Sequence, residues 1–127
     1  MSLPSGINIE KALVLFADDD PKMRILLTAE LDDLNIPSIS FDNAFDLLRD
    51  FQQYSPSFIF LDLLLPQMTG VECVKRLRMS GYRKPVFIVS ALYDSSYRQK
   101  AFDAGADDFF LKSDFFRRLR FILSDLL

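Results

Sequence analysis

The sequence predicts an α/β domain: an open, doubly wound, five-stranded parallel sheet with helices on both faces. Three observations carry this. Short unbroken apolar runs recur along the chain, stretches with helical spacing separate them, and 127 residues leave room for one core. Apolar runs without polar alternation suit strands buried on both sides, as in a parallel sheet. Each strand-to-strand crossover must be right-handed, which places helices on both faces. Five strand–helix units are too few for an eight-fold barrel, so the sheet stays open.

The first strand is Ala12–Ala17, reading ALVLFA. Asp20 and Pro21 then offer an N-cap and a proline at the first helical position, where a missing N–H does no harm. Met23, Leu26, Leu27, Leu31 and Leu34 continue that helix at helical spacing. A weaker strand at Ser38–Phe41 precedes a helix marked by Ala44, Leu47, Leu48 and Phe51, with Asp42 or Asn43 as its cap. Phe58–Leu61 (FIFL) is the third strand. Thr69 and Glu72 form a capping box ahead of Val71, Val74 and Leu77, and Gly81 closes the helix. Pro85–Val89 is the fourth strand, followed by a helix from about Asp94 to Ala104 that stops at Gly105. Phe109–Leu111 is the fifth strand, and the last helix runs from about Asp114 to Leu126. Residues 1–10 read as an N-terminal extension, with 1–3 as a cloning remnant, and 11–127 as the domain.

Composition excludes several classes of function. Half the residues are hydrophobic and only ten are Gly or Pro, so neither disorder nor a fibrous repeat fits. The single cysteine, Cys73, cannot pair within the chain and reads as a small core residue. There is no histidine, which removes His-ligated metals, a Ser-His-Asp triad and a phosphohistidine carrier. A net charge of −3 and a pI near 4.8 argue against direct nucleic-acid binding. No apolar run is long enough to span a bilayer, and the start MSLPSGINIE has no signal-peptide pattern; a cytoplasmic location away from membranes is expected.

Ligands of open α/β sheets bind beyond the carboxyl ends of the strands. Those ends carry Asp18-Asp19-Asp20, Asp62, Ser90 and Lys112. Asp20 reads as the N-cap of the first helix rather than as a ligand. Each of the others alone is ordinary turn chemistry or a solvated charge. Together they supply carboxylates from two strands, a hydroxyl and an ammonium. No glycine-rich phosphate loop accompanies them, so a nucleotide site is disfavoured. Oxygen ligands alone suit Mg²⁺.

In LVLFADDD, FIFLDLLLPQMTG, PVFIVSA and AGADDFFLK, in this order, the chain resembles a response-regulator receiver domain of two-component signalling, the CheY-like family. The resemblance runs from about Lys11 to Leu127. The second motif is the most specific, with Pro four and Gly eight residues past an aspartate that ends an apolar strand. The resemblance implies a flavodoxin-like strand order 2-1-3-4-5. It casts Asp62 as phosphoacceptor, and Asp18, Asp19, Asp62 and the main-chain carbonyl of Leu64 as the Mg²⁺ site, Asp18 through water. Ser90 and Lys112 would contact the phosphoryl group, and Ser90 and Phe109 would form the switch. The implied partners are a histidine kinase or phosphotransfer protein, and a homodimer or output partner. The latter would meet the face of the fourth helix, fifth strand and fifth helix, which would include Tyr97, Phe109, Phe115 and Phe116.

On this reading Asp62 attacks the phosphorus of a phosphohistidine, catalysed by positioning and electrostatics. Crowded carboxylates should raise one carboxyl pKa in the metal-free protein. The alternative is a pseudo-receiver, the same fold used as an interaction module without phosphorylation. A Mg²⁺ phosphohydrolase would need a second aspartate two past the first, where Leu64 stands. Three features depart from the family pattern. Ser113 replaces the proline that follows the lysine through a cis bond, so a trans or mobile loop is expected there. Leu63, Leu64 and Leu92 put apolar bulk where water would approach, favouring slow self-dephosphorylation. The last helix spreads Phe115, Phe116, Leu119, Phe121, Ile122, Leu123, Leu126 and Leu127 over more than one face, favouring a partner surface, with Arg117, Arg118 and Arg120 as its solvated rim.

Overall fold

The computed structural model of the protein describes residues 12–126; the extension expected over residues 1–10 lies outside them, as does Leu127. The elements alternate without exception: β1 (Val14–Ala17), α1 (Pro21–Asp33), β2 (Ser38–Phe41), α2 (Ala44–Tyr54), β3 (Phe58–Asp62), α3 (Gly70–Met79), β4 (Val86–Ser90), α4 (Ser95–Ala104), β5 (Asp108–Leu111) and α5 (Lys112–Leu126). The strands form one parallel sheet in the order β2-β1-β3-β4-β5, as the resemblance implied.

Local chemistry starts and stops the helices. The Asp20 carboxylate accepts from the Lys22 amide, with Pro21 at the first helical position, so Asp20 is the cap of α1. Asn43, not Asp42, caps α2, accepting from the Asp46 amide at 2.8 Å. Thr69 caps α3 and Asp94 caps α4. Gly105 ends α4 at φ 110°, a left-handed backbone that suits a residue without Cβ.

Successive strand residues point to opposite faces, so the unbroken apolar runs feed two cores. Leu15, Ala17, Ile59, Leu61 and Ile88 pack with Leu47 and Phe51 of α2, Val74 and Leu77 of α3 and Ala101 of α4. Val14, Phe16, Phe60, Phe87 and Val89 pack with Leu27 and Leu31 of α1 and Phe115, Leu119 and Leu123 of α5.

Three expectations change here. First, the bond after Lys112 is trans as expected, but no loop follows the lysine: β5 ends at Leu111 and α5 begins at Lys112. A serine keeps the backbone N–H and the free φ that proline lacks, so the helix extends back through Ser113 to the lysine. Second, the apolar width of α5 is mostly core. Phe115, Leu119 and Leu123 are buried, Phe116 and Ile122 pack against the same cluster, and Phe121 alone of the large apolar side chains described on α5 is well exposed, at 72 %. Phe115 is therefore not on the surface of the α4-β5-α5 face, and Phe109 is buried in the opposite core. Third, Leu63 is buried in the core, leaving Leu64 and Leu92 as the exposed aliphatic pair beside the strand ends.

Candidate functional site

Register builds the site. Ala17 pairs with Leu61 across β1 and β3, so Asp18 and Asp62, each one residue on, emerge side by side. The Asp18 amide extends the ladder by donating to the Phe41 carbonyl at 3.0 Å. Asp62 pairs with Val89, and Ser90 pairs with Leu111, so Ser90 and Lys112 reach the same edge from β4 and the start of α5.

Side-chain oxygens of Asp18, Asp19 and Asp62 lie within 4.8 Å of one another. The Lys112 Nζ stands 3.1 Å from Asp18 Oδ2 and 3.5 Å from Asp62 Oδ2. Asp18 and Asp62 are buried, whereas Asp19 is exposed. Three carboxylates therefore share one ammonium, and an uncompensated negative charge remains in a half-dry pocket. Beneath it lies a cavity of about 20 Å³ walled by Phe16, Phe60, Phe115 and Phe116 together with Met23 and Leu27. The Phe60 and Phe115 rings meet edge to face at 4.8 Å in this floor.

The titration behaviour follows from this environment. Burial, then the charge of Asp18, pushes the Asp62 carboxyl up to about 6 against the pull of Lys112 and the main chain of Leu64, with Asp19 adding to the rise. Burial also disfavours the Lys112 ammonium. The hydrogen bond to Asp18 and the charges of Asp62 and Asp18 outweigh it, holding that pKa above the ordinary lysine value. The donors are oxygens only and carry excess negative charge, which fits a hard divalent cation such as Mg²⁺.

Of the expected residues, the structure brings Asp18, Asp19, Asp62 and Lys112 into one cluster. Ser90 is buried beside them, and its Oγ accepts from the Leu92 amide at 3.1 Å, which leaves the hydroxyl proton available. Leu64 follows β3 by two residues with its side chain exposed. Phe109 lies three residues before Lys112, buried at 6 % exposure. Asp20 stays outside the cluster, engaged as a cap.

One contributor, Arg24, escaped the sequence reading, and the structure gives the motif glycine, Gly70, its physical role. Arg24 Nη1 donates to the Asp18 carbonyl at 2.8 Å, and Gly70 is packed against the Asp62 backbone. Gly70 had a signal, its fixed distance from Asp62. Arg24 had none, since a main-chain acceptor leaves no trace in residue type.

Known proteins share this family and this fold. Residues 14–123 match the family model for the response regulator receiver domain. The transcriptional regulatory protein KdpE of Mycobacterium tuberculosis is 36 % identical over 112 residues, covering 85 % of this chain and 49 % of the relative. The sensory transduction protein LytT of Oceanobacillus iheyensis is 32 % identical over 106 residues, covering 80 % and 42 %. This chain thus spans about half the length of the curated relatives it matches. The chemotaxis response regulator CheY4 of Vibrio cholerae superposes with a TM-score of 0.83 at 24 % identity, covering 91 % of this chain and 98 % of that one, a likeness of fold. With the sheet order, the acidic edge and the family match in agreement, the chain belongs to the response regulator receiver domains of two-component signalling.

Proposed function

We propose that this domain is a phosphoacceptor switch that takes a phosphoryl group onto Asp62 in a Mg²⁺-dependent reaction. One observation carries the reading: Lys112 Nζ lies between Asp18 and Asp62 at the mouth of a pocket with three clustered carboxylates. An Asp62 oxygen attacks phosphorus in line, forming an acyl phosphate O–P bond as the N–P bond of a phosphohistidine breaks and its electron pair returns to the imidazole. Lys112 moves from its carboxylate partners toward the incoming phosphoryl oxygens and offsets their charge. Ser90 donates its free hydroxyl proton to the same group. Asp18 and Asp19, with Asp62 and the Leu64 carbonyl, would hold the divalent cation. Bound there, the cation neutralises developing charge on the transferring group.

The donor is a histidine kinase or a phosphotransfer protein. The response is a shift in the population of the α4-β5-α5 face, with Ser90 and Phe109 as the elements that move, and a second copy or an output partner as its reader.

Incubation with a small acyl-phosphate donor, with and without Mg²⁺, tests this by intact mass. Stable, Mg²⁺-dependent uptake by the protein and none by Asp62→Asn is the expected result. Absence of uptake under all conditions would make the domain an interaction module, and continuous release of phosphate would make it a hydrolase.

A further inference from the structure

We infer that Arg24 is a positioning residue for the acidic pocket, holding the Asp18–Asp19 peptide in the orientation that lets both carboxylates take a divalent cation. This rests on the cation-site reading proposed above. Its own observation is the 2.8 Å bond from Arg24 Nη1 to the Asp18 carbonyl, made from the first turn of α1 back across the β1–α1 connection.

The bond is chemically selective. Arg24 is half-buried close to three clustered carboxylates, yet among the described residues it forms no ion pair and directs its donor to a neutral carbonyl. That carbonyl completes the restraint of Asp18. The Asp18 amide is held by Phe41 at 3.0 Å, Oδ1 accepts from the Asp20 amide at 2.9 Å, and Oδ2 faces Lys112 Nζ at 3.1 Å. Asp19 is the opposite case. It is exposed and makes no side-chain hydrogen bond among the described residues, although its carboxylate belongs to the cluster. The direction of its side chain is set by the peptide joining it to Asp18, and Arg24 grips the oxygen of that peptide. Groups that orient ligands without touching the metal typically govern affinity by about 10- to 100-fold.

Charge alone predicts the reverse sign. Arg24 is a cation beside a cation site, so its removal by simple Coulomb repulsion would tighten Mg²⁺ binding. The experiment is calorimetric titration of Mg²⁺ into the protein, Arg24→Met and Arg24→Lys, with the metal-free melting temperature of each. Arg24→Met keeps the apolar stem and loses donor and charge; its Mg²⁺ affinity should fall about tenfold. Arg24→Lys keeps one donor and should lie between. Combined with Asp19→Asn, the losses should be less than additive, because both act through one carboxylate. A lowered melting temperature with unchanged or tighter Mg²⁺ binding in Arg24→Met would show a purely structural bond and overturn the inference. No Mg²⁺ uptake by the unsubstituted protein would instead overturn the cation-site reading, and this inference with it.

Discussion

A Cβ built on Gly70 would lie 2.5 Å from the carbonyl oxygen of Asp62. The same atom would stand 3.0 Å from Ile88 Cδ1, while the Gly70 amide donates to the Leu63 carbonyl at 2.8 Å. The first turn of α3 is therefore pressed onto the end of β3, and the glycine eight residues past Asp62 is required by contact rather than by an unusual φ. Gly70→Ala must displace either α3 or the backbone that carries Asp62. Overpacking of this kind costs about 1–3 kcal/mol. The urea midpoint should fall accordingly, and phosphoryl uptake by the folded variant should slow; a variant as stable as the parent would refute the contact.

The raised Asp62 carboxyl makes stability depend on pH. Its pKa moves from 3.8 to about 6 on folding, so the folded state holds this proton more tightly. The contribution is fully present below about pH 3.8 and is lost as pH rises through about 6, worth about 3 kcal/mol across the window. Metal-free Asp62→Asn should therefore be more stable than the parent at neutral pH, by several degrees in melting temperature. The gap should close toward pH 4, the ordinary range of the carboxyl. A lower melting temperature for Asp62→Asn at neutral pH would mean that the carboxylates do not repel as their spacing requires.

Mg²⁺ should relieve the same repulsion. A ligand bound only by the folded state at about one hundred times its Kd adds about 2.7 kcal/mol. Thermal unfolding should shift upward with Mg²⁺ in the parent and far less in Asp62→Asn or Asp19→Asn. Equal shifts in all three would place the ion elsewhere.

Leu64 and Leu92 remain exposed at 54 % and 61 % where the loops after β3 and β4 begin. Aliphatic side chains there give an attacking water no hydrogen-bond partner, so a phosphoryl group on Asp62 should persist well beyond seconds after the donor is removed. Leu64→Asn or Leu92→Glu, which add polar groups at these positions, should shorten that lifetime severalfold in an intact-mass time course. Loss within seconds in the parent protein would overturn the shielding role.

At the opposite end of the sheet, Arg78 donates to the carbonyls of Gly105, Tyr82 and Lys84 at 3.0, 2.9 and 2.8 Å and to Asp107 Oδ2 at 2.8 Å. Asp107 Oδ2 also accepts from the Val86 amide. One planar fork thus ties the ends of α3 and α4 to the starts of β4 and β5. Arg78→Ala should cost about 3 kcal/mol in chemical denaturation. Arg78→Lys should recover little, since a single ammonium cannot reach four spread acceptors. Full recovery by lysine would reduce the network to simple charge.

Pattern and composition were enough for the five strand–helix units, because buried parallel strands and capped helices each leave a local mark: FIFL before Asp62, Asp20-Pro21 before α1, Gly105 after α4. Those marks by themselves put the acidic residues and Lys112 at strand ends. They could not give distances, since Asp18, Asp62 and Lys112 are far apart in sequence and meet only through the β1–β3 pairing and the start of α5. Nor could they separate core from surface along α5, where similar apolar letters cover buried Phe115 and exposed Phe121. Burial of a side chain is decided by what packs over it. Arg24 and Arg78 share the same limit: both bind main-chain carbonyls, which every residue carries, so only the folded chain selects which carbonyl comes within reach.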